Sequence, residues 1–187
     1  MEEKNLKFLG NPRLETKRLV LRKLEIADAD DIFEYARDPE VTRFMTFETH
    51  KTIDDAKGFI DFVLDRYNRN EAGEWGIELK KSVKLIGTIG IANFDQKNSC
   101  ITIGYILAKQ YWGKGIVTEA VKRIIRFAFE DMKINRVEAY HFIGNDASGR
   151  VMQKAGMQYE GILRQKLFAG GEYRDVKQYA VLKDDCI

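Results

Sequence analysis

The sequence predicts an α/β chain of the α+β kind, with a mixed, mostly antiparallel sheet of six to seven strands and helices on both faces. Three observations carry this reading. Short runs rich in β-branched and aromatic residues, such as Cys100 to Ala108, recur at strand length along the chain. Two long stretches, Thr52 to Asn68 and Val117 to Phe129, place apolar residues at helical spacing. The order is antiparallel hairpins first, then strand-helix-strand-helix, then a closing hairpin at Gly170-Gly171, which gives a mixed sheet covered by helices on both faces.

Taken in order, Leu19 to Leu24 alternates apolar and charged positions and reads as an early strand with one wetter face. Asp28 to Asp31 supplies the acidic start of a helix over Ala29 to Ala36, stopped before Pro39. The next helix runs from Thr52 or Ile53 to about Asn68, with Ala56, Phe59, Ile60, Val63, Leu64 and Tyr67 on one face. Glu74 to Leu79 and Lys84 to Asn93 are strands parted by the polar Lys80-Lys81-Ser82 turn, and Asp95 to Ser99 turns the chain into Cys100 to Ala108. Past the long helix come a strand over Arg136 to Phe142, a helix over Asn145 to Ala155 ended by Gly156, and the hairpin strands Gln158 to Leu167 and Tyr173 to Leu182.

Composition sets limits. The 187 residues are 44% hydrophobic and contain no linker-like or low-complexity segment, which predicts one domain over residues 1–187. A net charge of +2, from 31 basic and 29 acidic residues without long runs of one sign, gives no reason to expect a nucleic acid or an anionic membrane as partner. The charged start Met1-Glu2-Glu3-Lys4 and the lack of any apolar stretch near the roughly 18 residues of a membrane helix point to a cytoplasmic protein. Cys100 and Cys186 stand far apart, so two free thiols are expected, with no disulfide framework and no metal site.

The most informative stretch is Tyr111 to Ala120, where a glycine-spaced turn joins the strand to the long helix. First-turn amides of a helix lack backbone acceptors and face forward with the positive end of the dipole, so an anion is favoured there. Gly113 and Gly115 let the backbone come close to it, although glycines alone would also serve a tight corner. The spacing matches neither a nucleotide phosphate loop nor a dinucleotide fingerprint.

Set beside Glu15-Thr16-Lys17-Arg18-Leu19, Ile103-Gly104-Tyr105, Glu119-Ala120, Asn145-Asp146-Ala147-Ser148, Lys154-Ala155-Gly156-Met157 and Gly171-Glu172-Tyr173-Arg174-Asp175, this corner resembles the GNAT superfamily of acetyl-CoA-dependent N-acetyltransferases. The nearer resemblance is to its ribosomal-protein N-terminal acetyltransferase branch, over about residues 14–182. The pyrophosphate motif of that superfamily is then Trp112 to Val117, and the apparent match starting at Gln110 is a decoy. The resemblance implies acetyl-CoA as cosubstrate, with the amides of Gly113, Lys114, Gly115, Ile116, Val117 and Thr118 on its pyrophosphate. It implies Tyr105, Ile106 and Leu107 alongside the pantetheine, an N–H near Leu107 as oxyanion donor, and Asn145 on the pantetheine. Lys114 and Lys154 are candidates for phosphate contacts, solvated lysine being the plainer reading.

Ser148 becomes the expected proton donor to the leaving sulfur, because Met152 stands where many relatives carry a tyrosine. A helix-capping role for Asn145 or Asp146 is compatible with this. No base is evident: Leu167 and Thr102 occupy the positions where a glutamate is often found, Glu138 could pair with Arg136, and His141 reads as a core residue. Trp112 reads as packing against the helix, and Trp75 as core before cleft. Tyr173 and Asp175 read as ordering the hairpin on the acceptor side.

The function expected is acetyl transfer to a primary amine, first a protein or peptide N-terminus. A small amine remains open, a polyamine site drawing on Glu48, Asp54, Asp55 and Glu74, and so does a catalytically silent CoA-binding module. A homodimer is compatible with the sequence, which does not specify it.

Overall fold

The computed structural model describes residues 10–186. Met1 to Lys4 and the Cys186 thiol lie outside the described residues. Strands β1 (Leu14–Glu15), β2 (Leu19–Arg22), β3 (Glu74–Leu79), β4 (Lys84–Asp95), β5 (Cys100–Leu107), β6 (Arg136–Phe142), β7 (Gln158–Ala169) and β8 (Glu172–Leu182) form one sheet in the order β1-β2-β3-β4-β5-β6-β8-β7. The helices are α1 (Ala29–Ala36), α2 (Pro39–Thr42), α3 (Ile53–Asn68), α4 (Ile116–Glu130) and α5 (Asp146–Lys154). Every pairing is antiparallel except β5 with β6.

The sheet has eight strands, where the sequence predicts six to seven. The additional one is the two-residue β1, which folds back on β2 through a turn closed by Thr16 N–H donating to Leu19 O at 3.0 Å. Two residues are too few to carry a period. Nor does β2 have a wetter face: Leu19, Val20 and Leu21 are all buried, and Arg22 is drawn in by Asp28 and Glu78 at 2.7 and 2.6 Å. Helix α2 is also absent from the sequence reading, although Asp38-Pro39-Glu40 is its start signal, with the Asp38 carboxylate accepting from Glu40 N–H at 2.9 Å and Pro39 in the first turn.

Two apolar layers flank the sheet. On one face α1 and α3 bury Ile32, Tyr35, Ala56, Ile60 and Val63 against Leu24, Leu85 and Ile106. On the other, α4 buries Ile116, Val117, Ala120, Val121, Ile124, Ile125 and Ala128 against Trp75, Ile89, Ile101 and Ile103. Isoleucine and valine are middling helix formers, so packing of this face, more than propensity, holds α4. Trp75 is fully buried, meets Phe127 edge-on at 5.9 Å between ring centroids and donates its indole N–H to Pro12 O at 2.8 Å. It belongs to the core, as the plainer sequence reading had it.

The feature that positions the site is a failure of pairing. β5 and β6 are joined only at Cys100, Ile101 and Thr102, facing Arg136, Val137 and Glu138. Beyond these the two strands part, while β5 stays paired to β4 as far as Leu107.

Candidate active site

The gap between β5 and β6 is the floor of a cleft of about 550 Å³. Gly104 and Ile106 line it from the sheet face covered by α1 and α3, and Tyr105 and Leu107 line it from the face covered by α4 and α5. The cleft therefore passes through the sheet rather than lying on it. Ala108 N–H is spent on Ile86 O in β4 at 2.8 Å. By strand alternation the polar groups of Leu107 point the other way, and its carbonyl indeed accepts from the Trp112 indole at 2.8 Å. Leu107 N–H is thus turned toward the gap. Trp112 is exposed and ties the end of β5 to the glycine turn, in place of the packing against the helix expected for it.

At the mouth, Gly113 and Gly115 have φ of +73° and +70°, a region where a side chain is strained. Gly115 ends the turn as the residue before α4, with no side chain capping the helix. The first helical amide engaged is that of Glu119, donating to Gly115 O at 3.1 Å, so the preceding amides at Ile116, Val117 and Thr118 remain at the cleft. Among the described residues nothing lies within 4 Å of where a Cβ on Gly113 would sit. An open, positively polarised backbone cradle of this kind fits a phosphate ester.

A polar clamp holds the turn. The Glu119 carboxylate accepts from Thr16 Oγ1 at 2.6 Å, Arg18 N–H at 2.9 Å and Arg18 Nε at 2.6 Å. Arg18 Nη1 in turn donates to Lys114 O at 2.9 Å. Burial pushes the Glu119 pKa up, but the bonds from Thr16 and Arg18 outweigh it and hold the pKa below the usual carboxylate value. The Lys114 ammonium is turned back to Gln110 O at 2.8 Å and over the Tyr111 ring, and its residue is outside the cleft lining. Lys154 does line the cleft.

Across the gap, Asn145 precedes α5 and its side chain accepts from Ser148 N–H at 3.4 Å, the capping geometry. Both residues line the cleft, so capping and facing a ligand coincide. Ser148 Oγ lies 2.9 Å from Tyr105 Oη. Burial raises the Tyr105 pKa well above its ordinary value, which keeps that hydroxyl protonated. His141 is buried, stacks on Tyr179 at 5.7 Å and is held below its usual pKa by burial, so it is a neutral core residue at the cleft wall.

Of the other residues weighed for the chemistry, Glu138 pairs with Arg136 at 2.6 Å. Leu167 and Thr102 bring no carboxylate, and Leu167 lines the cleft while Thr102 is buried. Asp175 accepts from Gln165 N–H at 2.8 Å and so fixes the irregular part of β7, while Tyr173 is exposed against Phe168. Glu48, Asp54 and Asp55 gather around the start of α3, in a separate depression.

The sequence reading missed one wall. The segment that follows α2 lines the cleft with Arg43, Phe44, Met45 and Thr46, and Phe44 packs on Phe142, Ala169 and Val176. Arg150 on α5 lines it as well. Only the Asp38-Pro39 helix start could have hinted at the first, and an exposed arginine in a short helix gives no signal at all.

Comparison with known proteins agrees with this geometry. The family model described as an acetyltransferase (GNAT) domain matches residues 18–158. The N-acetyltransferase YoaA of Bacillus subtilis is 34% identical over 92% of this chain and 97% of its own. YdaF of the same organism, whose name provisionally makes it a ribosomal N-acetyltransferase, is 31% identical over 89% of this chain and 92% of its own. A GNAT-family acetyltransferase from Bacillus anthracis superposes with a TM-score of 0.82 at 26% identity, over 92% of this chain and 99% of that one. A strand pair splayed beside a glycine-built helix start, with a family match spanning both, makes this chain a member of the GNAT family and an acetyl-CoA-dependent N-acetyltransferase.

Proposed function

We propose that the acceptor is a protein or peptide N-terminal amine. The observation that carries this is the charge of the cleft: among the described residues Arg43, Arg150 and Lys154 line it against only Glu40 and Asp146, and both carboxylates are paired, with Lys109 at 2.7 Å and Lys177 at 3.5 Å. A polyamine carries several positive charges and would want free carboxylates where it lies. Of the four acidic candidates, Glu48, Asp54 and Asp55 stand elsewhere, and Glu74 alone lies beside the cleft, in the row of Gly90 and Gly104, which is one free carboxylate for an amine that carries several charges. A peptide chain brings a single amine and a backbone able to bond along an open trough. The similarity to YdaF, which is provisionally named as a ribosomal N-acetyltransferase, supports the same class of acceptor.

Acetyl-CoA supplies the acetyl group as a thioester and leaves as the thiol. In this reading the amides of Gly113 to Thr118 hold the pyrophosphate, Asn145 and the free edge of β5 at Tyr105 to Leu107 hold the pantetheine, and Lys154 reaches a phosphate. Leu107 N–H faces the oxygen on which negative charge develops, where a fixed donor is worth more than water. Ser148 Oγ–H gives its proton to the departing sulfur, with the Tyr105 hydroxyl beside it to steady the resulting alkoxide until its proton is restored.

Acceptor class is read directly by incubating the protein with acetyl-CoA and, separately, peptides with free N-termini, spermidine and an aminoglycoside, while following thiol release. Release with the peptides at the highest kcat/KM is expected. Spermidine leading the panel would overturn the reading, and tight CoA binding without release for any amine would make the chain a silent binding module.

A further inference from the structure

The transfer needs a base, since an ammonium has no lone pair, and the carboxylates lining the cleft are both paired with lysines. One carboxylate just beyond the lining is placed differently. Glu74 opens β3 and stands opposite Gly90 of β4, which stands opposite Gly104 of β5. The three are in register and therefore share one face of the sheet. It is the face of α1 and α3, because the next row along it contains Thr88 and Ile106, and Ile106 packs among those helices.

Two glycines in that row leave a shallow floor. A Cβ on Gly90 would fall 2.3 Å from the Glu74 carboxyl carbon, so the carboxyl lies flat on Gly90 and points along the row toward β5. Among the described residues nothing lies within 4 Å of where a Cβ on Gly104 would sit, and Gly104 lines the cleft. Neighbouring strands are about 4.8 Å apart, so from its place over Gly90 the carboxylate is within one water of a group standing on Gly104. Gly104 adjoins Tyr105, whose hydroxyl holds Ser148.

The surroundings of Glu74 are those of a base rather than of an ion-pair partner. No hydrogen bond or salt bridge among the described residues reaches its carboxylate, and part of the residue stays open to solvent. Burial pushes its pKa up to about 7, with Arg66 of α3 pulling weakly the other way. From α1, Tyr35 faces it with a hydroxyl that is itself held protonated by burial and by the Glu74 charge; from α3, Tyr67 donates its hydroxyl to the Glu74 carbonyl, and Asp28 acts on both tyrosines. From β4 the polar neighbour is Thr88.

We propose that Glu74 is the general base of the acetyl transfer, receiving the acceptor's proton through water that lies over Gly104, next to the carboxyl on Gly90. One proton passes from the ammonium to Glu74, leaving a neutral amine whose lone pair forms the C–N bond. As the C–S bond breaks, the sulfur takes the Ser148 proton, the second amine proton returns to Ser148 Oγ through water, and Glu74 releases its own to solvent. The inference rests on the cleft being the acetyl-CoA site and not on which amine is the acceptor.

The decisive measurement is the pH dependence of kcat for Glu74→Gln at saturating acetyl-CoA, with an alanyl peptide and with hydroxylamine, which is mostly neutral at pH 7. With the peptide, kcat at pH 7 should fall about 100-fold, and the ascending limb should move from near pH 7 toward the α-amine's own value of about 8. With hydroxylamine the loss should stay below about tenfold, because no proton need be removed beforehand. Gly90→Ala, which pushes the carboxylate off its floor, should reproduce the peptide defect in part and Glu74→Asp should restore some of it. CoA affinity by calorimetry should be unchanged in all three. An unchanged limb in Glu74→Gln, or equal losses with both amines, would overturn the proposal. Loss of CoA affinity in step with kcat would do so too, by making Glu74 a structural residue. Failure of the cleft reading itself would appear elsewhere, as intact CoA affinity in Gly115→Asp.

Discussion

Tyr105 Oη and Ser148 Oγ lie 2.9 Å apart, one on β5 and the other in the first turn of α5, so the only hydroxyl pair at the cleft bridges the two sides of the strand gap among the described residues. The Tyr105 hydroxyl also donates to Ser148 O at 3.1 Å, and its raised pKa keeps it a donor throughout the working range. Ser148→Ala should lower kcat by about 100-fold with little change in the KM for acetyl-CoA, the signature of a group acting only in the transition state. Tyr105→Phe should cost about tenfold, since it removes support and not the proton itself. Steady-state kinetics over a pH series would check both, and full turnover in Ser148→Ala would remove its role.

Gly115→Asp should raise the KM for acetyl-CoA by at least about tenfold, because it adds a negative charge where the helix dipole is asked to hold another. Folding should survive. Among the described residues the new Cβ would have only Arg18 Nη2 near it, at 3.8 Å, and the φ of +70° costs a residue other than glycine about 1–2 kcal/mol. Calorimetric titration with CoA, beside a melting curve, separates the two effects.

Glu119 holds three donors from the β1–β2 region, and Glu119→Gln should loosen the glycine turn with a stability loss of about 1–2 kcal/mol, less the screening expected at a partly exposed site. The pH dependence has a definite sign. The folded pKa lies below the unfolded one, so the carboxylate's contribution is complete above the ordinary glutamate value and is lost as pH falls through the lowered one. Below roughly pH 4 the melting temperatures of wild type and Glu119→Gln should therefore converge. A constant gap down to pH 3 would contradict this.

Gly149→Ala tests the packing beneath the candidate proton donor. Its Cβ would come 2.8 Å from His141 Nε2 and 3.2 Å from Tyr179 Oη, both on buried residues. The helix would gain about 1 kcal/mol in propensity, whereas overpacking costs about 1–3 kcal/mol, so net destabilisation is expected. A rise in the unfolding midpoint would show that His141 and Tyr179 yield more readily than their burial implies.

Most element positions were legible because their patterns are local. α1 and α3 begin where their acidic first turns are, β6 is bounded as its Arg136 to Phe142 run suggests, and the Gly170-Gly171 turn closes β7 on β8. β1 was illegible because two residues carry no period, and the wall from Arg43 to Thr46 because its contacts with Phe142 and Val176 lie about a hundred positions away. Glu74 shows the same limit from another side. In sequence it is one of several acids suited to a polyamine, and nothing local distinguishes it from Asp54 or Asp55.

By itself the sequence determined the glycine corner of this protein: a strand, two glycines and an amphipathic helix are contiguous, so the open backbone turn proposed to hold the phosphates has a conformation that neighbouring residues dictate. Tertiary structure decided the rest. Where β5 leaves β6, which hydroxyl meets Ser148, that Glu119 is gripped by Thr16 and Arg18, and that Glu74 lies on a glycine floor two strands from the gap are all matters of pairing between segments distant in the chain. Side-chain chemistry is local, but burial, register and the pKa values they shift are properties of neighbours that only folding supplies.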